Sequence, residues 1–148
     1  MDRLPEQYPY GIRVEWLDNN QIAVISTEGN MSRDAVDTWA DVTLQTINNY
    51  PGNRGYFLFD MTGRDQTYTP YGVWRTEKLV KSIPPEKHGY AAIVLKQHQD
   101  LLSRHLLDVI EAIVRIRSRQ IKTKFFVYQD EALEWLRGQI DNDNTGGV

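Results

Sequence analysis

The sequence predicts an α/β fold: a five-stranded mixed sheet with about four helices, in the order ββαβαβαβα. Three observations carry this. Residues 11–17, "GIRVEWL", set Ile12, Val14 and Trp16 in alternation with Arg13 and Glu15, the period of a half-buried strand. Residues 56–61, "YFLFDM", and 89–96, "GYAAIVLK", are continuous apolar runs of strand length, as in strands covered on both faces. The segments between such runs carry apolar residues at helical spacing, and strands alternating with helices imply parallel crossovers.

The elements follow in order. Residues 1–10 hold two prolines and read as an irregular lead-in. "DNN" (18–20) is turn chemistry, because Asp and Asn tolerate left-handed backbone. It joins 11–17 to a second strand, "QIAVIST" (21–27), as an antiparallel hairpin. Ser32 caps a helix whose apolar face is Val36, Trp39, Ala40, Leu44 and Ile47, and "PGNRG" (51–55) ends it. Thr69-Pro70 opens the next helix, with Val73, Val80 and Ile83 as its apolar face, and Pro84-Pro85 closes it. Residues 99–120 read as a long helix and "TKFFVYQ" (123–129) as the fifth strand. Asp130 caps "EALEWLRGQI", and "DNDNTGGV" (141–148) reads as a disordered polar tail.

Composition narrows the roles. The chain of 148 residues fits one domain, placed at 11–140, and at 41% hydrophobic and 25% charged it is a folding chain. At this length it buries about 70% of its unfolded surface and needs no staples. There is no cysteine, which removes disulfides, thiol nucleophiles and thiolate metal sites and suits a reducing compartment. A net charge of −3 argues against nucleic acid and anionic membranes as partners. No apolar run approaches the roughly 20 residues of a membrane span, and the first residues lack the apolar core of a secretory signal. The expected location is the cytoplasm, without stable membrane insertion.

The stretch "YFLFDMTGRDQTYTPYGVW" (56–74) holds the candidate site. Thr69 precedes Pro70 at a helix start, so it is either an N-cap or a phospho-acceptor, since a phosphate there meets free N–H groups. Asp60 and Asp65 flank the loop and are the two carboxylates open to acid–base work, yet "DMTGRD" is also ordinary turn chemistry. Asp60, Thr62, Tyr68, Tyr71 and Trp74 are the binding candidates, the aromatics because a ring and a hydroxyl together suit a pocket rim. The loop lies at the carboxyl end of a sheet strand, where α/β folds bind ligands. His88, His98 and His105 lack metal-ligand spacing, and neither metal nor cofactor is expected. The basic run 115–124 complements the negative end of the long helix.

The long helix has more apolar surface than one face needs. Leu102, Leu106, Val109, Ile113 and Ile116 form one stripe, and Leu107, Ile110 and Val114 a second about 100° away. The second stripe is either core or an interface, the latter for a second copy in a homodimer or for an apolar ligand.

These elements resemble the STAS fold (sulfate transporter and anti-sigma-factor antagonist), in its SpoIIAA-like branch. The resemblance covers about residues 11–140. It rests on "FLFDMTG" as central strand and turn, "TPYGVW" as the following helix start, and "YQDEALEWLRG" as the last strand-to-helix junction. In signalling members the loop carries Asp-Ser-Ser-Gly, whose second serine is phosphorylated by a kinase that is also an anti-sigma factor. That pattern lays Thr69 on the acceptor and Gly72 on the later helix glycine. It departs at Thr67 for the aspartate, Tyr68 for the first serine and Pro70 for the next glycine. The resemblance implies a non-enzymatic regulatory module acting by protein–protein recognition, with control through Thr69. The partner would be a protein such as a kinase. The alternative is a carrier of a lipid or small apolar ligand, with helix 99–118 as one pocket wall.

Overall fold

A computed structural model describes residues 1–29, 31–64, 69–96, 108, 111, 112 and 120–146. In chain order the elements are β1 (Glu6–Tyr8), a 3-10 turn (Pro9–Gly11), β2 (Ile12–Leu17), β3 (Ile22–Gly29), α1 (Arg33–Asn48) and β4 (Arg54–Arg64). Then come α2 (Pro70–Lys81), β5 (His88–Val94), β6 (Ile121–Phe126) and α3 (Gln129–Gly146). The expected helix over 99–120, with its stripe Leu107, Ile110 and Val114, lies outside the described residues apart from positions 108, 111, 112 and 120.

The strands form one sheet in the order β1-β2-β3-β4-β5-β6. The first two pairings are antiparallel and the other three parallel. The turn between β2 and β3 is built from three consecutive left-handed residues, Asp18, Asn19 and Asn20, with φ of 55°, 58° and 64°. Asp and Asn accept that backbone at least cost among residues with a Cβ.

Strand side chains alternate between faces, so ring contacts fix which helix covers which face. Trp39 of α1 meets Phe59, and Tyr50, just past α1, meets Trp16 and Phe57. Trp135 of α3 meets Tyr90 and Phe126, and Tyr90 stacks on Tyr56. Hence α1 covers the odd-numbered side chains of β4 and α3 the even-numbered ones. β3 is buried continuously from Ile22 to Ile25 because both faces are covered. β2 alternates buried Ile12, Val14 and Trp16 with half-buried Arg13, Glu15 and Leu17. Each fully buried large apolar side chain contributes about 1.5–3 kcal/mol over its exposed state.

The sheet has six strands and not five, because the lead-in is ordered. Pro5 and Pro9 bracket a stretch whose residues keep N–H groups able to pair, and Glu6, Gln7 and Tyr8 pair with Val14, Arg13 and Ile12. The residues before it grip the β2–β3 turn: Arg3 N–H donates to Asn20 Oδ1 at 2.6 Å and Asn20 N–H to Asp2 Oδ1 at 2.9 Å. The expected tail is helical as far as Gly146, for a tertiary reason. Asp143 accepts from Arg54 Nη1 at 2.8 Å and from the Tyr56 hydroxyl, one turn beyond buried Ile140. α3 also begins one residue before Asp130, which sits with Glu131 in the first turn instead of capping it. Carboxylates there still favour the helix dipole.

Two tests follow from the backbone. Gly89 has φ +157°, and a Cβ there would stand 1.9 Å from the Gly55 carbonyl oxygen on β4. Gly89→Ala should therefore cost about 2–5 kcal/mol by urea denaturation, from strain and overpacking together. Gly138→Ala in α3, where a Cβ meets nothing within 4 Å, should gain about 0.5–1 kcal/mol instead. The second test concerns pH. Arg137 donates to both oxygens of Asp18, at 2.8 and 3.1 Å, and this bond holds the Asp18 carboxyl below its ordinary 3.8. A depressed carboxyl stabilises the fold above its unfolded pKa, and its share is lost as pH falls through the folded pKa. Arg137→Met should cost up to about 1 kcal/mol at neutral pH, a surface-pair value. The variant and the parent should converge in stability as pH drops below the carboxylate range.

Candidate functional site

The candidate site forms where α2 lies on α1. Thr69 has extended backbone, φ −116° and ψ 157°, and its Oγ1 accepts the Gly72 N–H at 3.1 Å. Pro70 follows at the first helical position, where a missing N–H costs nothing. The threonine is thus an N-cap, half-buried. Gly72 leaves room for it: an added Cβ would sit 3.4 Å from Thr69 Oγ1.

α2 is held mainly by polar contacts. Of its described side chains only Leu79 is buried. The Tyr71 hydroxyl donates to Asp37 Oδ1 at 2.5 Å, and this bond raises the tyrosine pKa above its ordinary 10.0. Arg75, mostly covered, reaches two acids of α1: Asp37 Oδ1 at 3.3 Å and Asp41 Oδ1 at 2.9 Å. Asp37 and Asp41 are one turn apart, so both face α2.

An aromatic and cationic surface results. Tyr71 and Trp74 lie with ring centroids 5.6 Å apart. The Arg33 guanidinium stands 4.9 Å from the Tyr71 centroid, and Lys78 Nζ stands 5.5 Å from that of Trp74. Trp74 is 54% exposed, and among the described residues it is the one large hydrophobic exposed on an α-helix. Cations over ring faces contribute about 0.5–1 kcal/mol each at exposed sites.

The structure separates residues that the sequence grouped. Asp60 and Thr62 sit on β4, Asp60 in the row of side chains toward α3, with a register shift just beyond it, while Tyr71 packs against Ala35 and Val36 of α1. Asp60 Oδ1 accepts from Thr62 N–H at 3.0 Å and Thr62 Oγ1 at 2.6 Å, a local turn bond at the strand end. Tyr68 and Asp65 lie outside the described residues, as do His98 and His105. His88 is exposed at the start of β5. Among the described residues no three acidic or histidine side chains cluster to hold a metal ion. No described helix is long and apolar enough to cross a membrane. Sequence reading missed Arg33, Asp37, Asp41, Arg75 and Lys78. The acids of α1 recur at helical spacing opposite its apolar face, a visible signal, but their partner on α2 requires the packing.

With this geometry described, likeness to known proteins becomes informative. No protein-family model matches the chain, and no curated protein matches its sequence. Among solved structures, an uncharacterized DUF3478-family protein from Shewanella loihica PV-4, described as having a SpoIIAA-like fold, superposes with a TM-score of 0.57. The match covers 84% of this chain and 91% of that one, at 18% sequence identity. The chain has a SpoIIAA-like fold. The mixed α/β architecture and SpoIIAA-like fold expected from the sequence are therefore shown, with one more strand than the sequence indicated.

The cap generates a direct test. Thr69→Ala should destabilise by about 1 kcal/mol, and Thr69→Ser should restore most of it, since either hydroxyl accepts the same N–H. Thermal denaturation of both variants reads this out. Equal stability of all three proteins would mean that the cap bond contributes nothing.

Proposed function

We propose that the chain is a non-enzymatic recognition module that binds a protein partner through the outer face of α2. Thr69 is the residue through which phosphorylation regulates it. The observation that carries the reading is Trp74, more than half exposed yet positioned by Tyr71 and Lys78 on a helix pinned through Arg75. Tryptophan and arginine dominate the binding energy of protein interfaces, and a pre-positioned ring loses little entropy on docking. The flanking cations favour a partner with acidic groups around an apolar anchor point. A phosphate on Thr69 would lie at the α2 N-terminus, where the dipole favours negative charge. Arg33, over the ring of Tyr71 two residues on, is the cation we assign to it.

The SpoIIAA-like fold supports a regulatory role by likeness only, because folds host many functions. The alternative of an apolar-ligand carrier rests on residues 99–118, almost all outside the described residues, and no described observation favours it.

The test is a photo-crosslinking residue at position 74 in the protein's own host, with Glu131 on the opposite face as the control position. A discrete protein adduct at 74 and none at 131 is expected. Thr69→Glu should change the adduct yield several-fold, and mass spectrometry should find one phosphate on Thr69 in a fraction of molecules. No adduct at 74 from a protein shown folded by circular dichroism would sink the recognition reading. An adduct whose yield ignores Thr69→Glu, with no phosphate found, would remove the regulation.

A further inference from the structure

The two edges of the sheet are closed in different ways. β1 is three residues long between prolines, which leaves little to pair with. β6 is six residues long and, among the described residues, pairs on one side only, with β5. Its side chains alternate: Lys122 and Lys124 are exposed, Ile121 is buried, and Thr123 and Phe125 are half-buried. Lys122 Nζ stands 5.9 Å from the Tyr90 centroid and Lys124 Nζ 5.4 Å from that of Phe126, so both lie on the face toward α3. Neither is ion-paired with a described residue. Immediately beyond the strand, Val127 is 42% and Tyr128 60% exposed.

We infer that β6 is a docking edge for an extended acidic peptide segment, which adds as a seventh strand. Backbone hydrogen bonding supplies affinity in such additions and alternate side chains supply specificity. Residues directly opposite across paired strands share a face. Carboxylates two apart on the incoming strand would meet Lys122 and Lys124. The valines on either side of them would meet Thr123 and Phe125 on the other face.

The same lysines disfavour a second copy of this chain. A two-fold axis perpendicular to the sheet pairs residues of equal parity, so Lys122 would oppose Lys122, Lys124 or Phe126 of the other copy. Like charges directly opposite are destabilising, and edge lysines commonly guard against such pairing. The guard becomes an attraction for an acidic strand. This surface is separate from α2, and the inference does not depend on the reading of Trp74.

The probes are acetyl-Val-Glu-Val-Glu-Val-amide, its Lys-for-Glu counterpart, and a fully N-methylated acidic form. Backbone amide NMR of the full chain should show binding of the acidic peptide with shifts along 121–126. The Lys122→Glu, Lys124→Glu double variant should lose at least about tenfold in affinity for it, as two attractions become repulsions. That variant should instead bind the lysine peptide, and the N-methylated form should bind neither protein. Circular dichroism checks that the variant is folded, as substitutions at two exposed sites should leave it. No binding by the parent, binding indifferent to charge reversal, or equal binding of the N-methylated peptide would each overturn the inference. So would concentration-dependent dimerisation of the parent through β6, which would assign the edge to a second copy.

Discussion

The parallel pairing of β4 with both β3 and β5 is the constraint on which the other packing depends. From Tyr56 to Asp60 it is hydrogen-bonded on both sides, to Ile22–Ser26 and to Tyr90–Val94. Buried backbone groups must be paired, and a strand between two others satisfies that requirement without side-chain help. The two neighbours also lock its register, and register decides which side chain meets which helix. Phe57 and Phe59 thereby belong to the α1 side, and Tyr56 and Leu58 to the α3 side. Asp60 follows the even set and so is separated from the aromatics of α2. A single-residue slip would exchange all of these partners at once. Close approach of Gly55 and Gly89 at the start of the β4–β5 ladder belongs to the same constraint, because a side chain there would force the strands apart.

Helices on this frame are attached by different physics. α1 buries seven residues, from Ala35 to Ile47, and α3 buries Ala132, Leu136 and Ile140. Their burial is largely apolar, with the ion pairs of Asp143 and Arg137 added on α3. α2 buries only Leu79 and leans on Arg75 and Tyr71. Contacts of that type weaken as ionic strength rises, since surface charges are screened within about 10 Å at 0.1 M. They are also directional: the guanidinium must face Asp37 and Asp41 together. α2 is therefore oriented by its polar contacts more than by burial, and its apolar ring, Trp74, is left for the solvent side.

Local chemistry was legible in the sequence, and distant partnership was not. Ser32 and Thr69 both cap as their positions indicate, with Oγ atoms accepting from Ala35 and Gly72. "DNN" makes the left-handed turn that its residue types permit. Continuous apolar runs became strands buried on both faces. The failures share a cause. β1 pairs residues with little apolar character, so only its neighbour β2 reveals it. α3 continues through a polar sequence because Arg54 and Tyr56, almost ninety residues away, hold Asp143. Nearness along the chain groups Asp60 with Tyr71, and it says nothing about which face of a sheet a residue takes.

Polar groups left over by the core mark where this fold is not optimised for stability alone. Among the described residues Arg13 Nε is buried without a hydrogen-bond partner, and so are Trp16 Nε1, Trp39 Nε1 and Thr43 Oγ1. Each such group costs about 1–3 kcal/mol if water does not reach it. Arg13 lies in one row across the sheet with Ser26 and Asp60, all on the face toward α3. Asp60 satisfies one oxygen locally through Thr62, which removes the need for an ion pair with an arginine two strands away. A row of cation, hydroxyl and carboxylate that does not close on itself differs from the apolar rows beside it, such as Val24, Leu58 and Ala92. The row becomes apolar only at Val94 and Phe126, so its cohesion lies toward β5 and β6 and not toward Arg13.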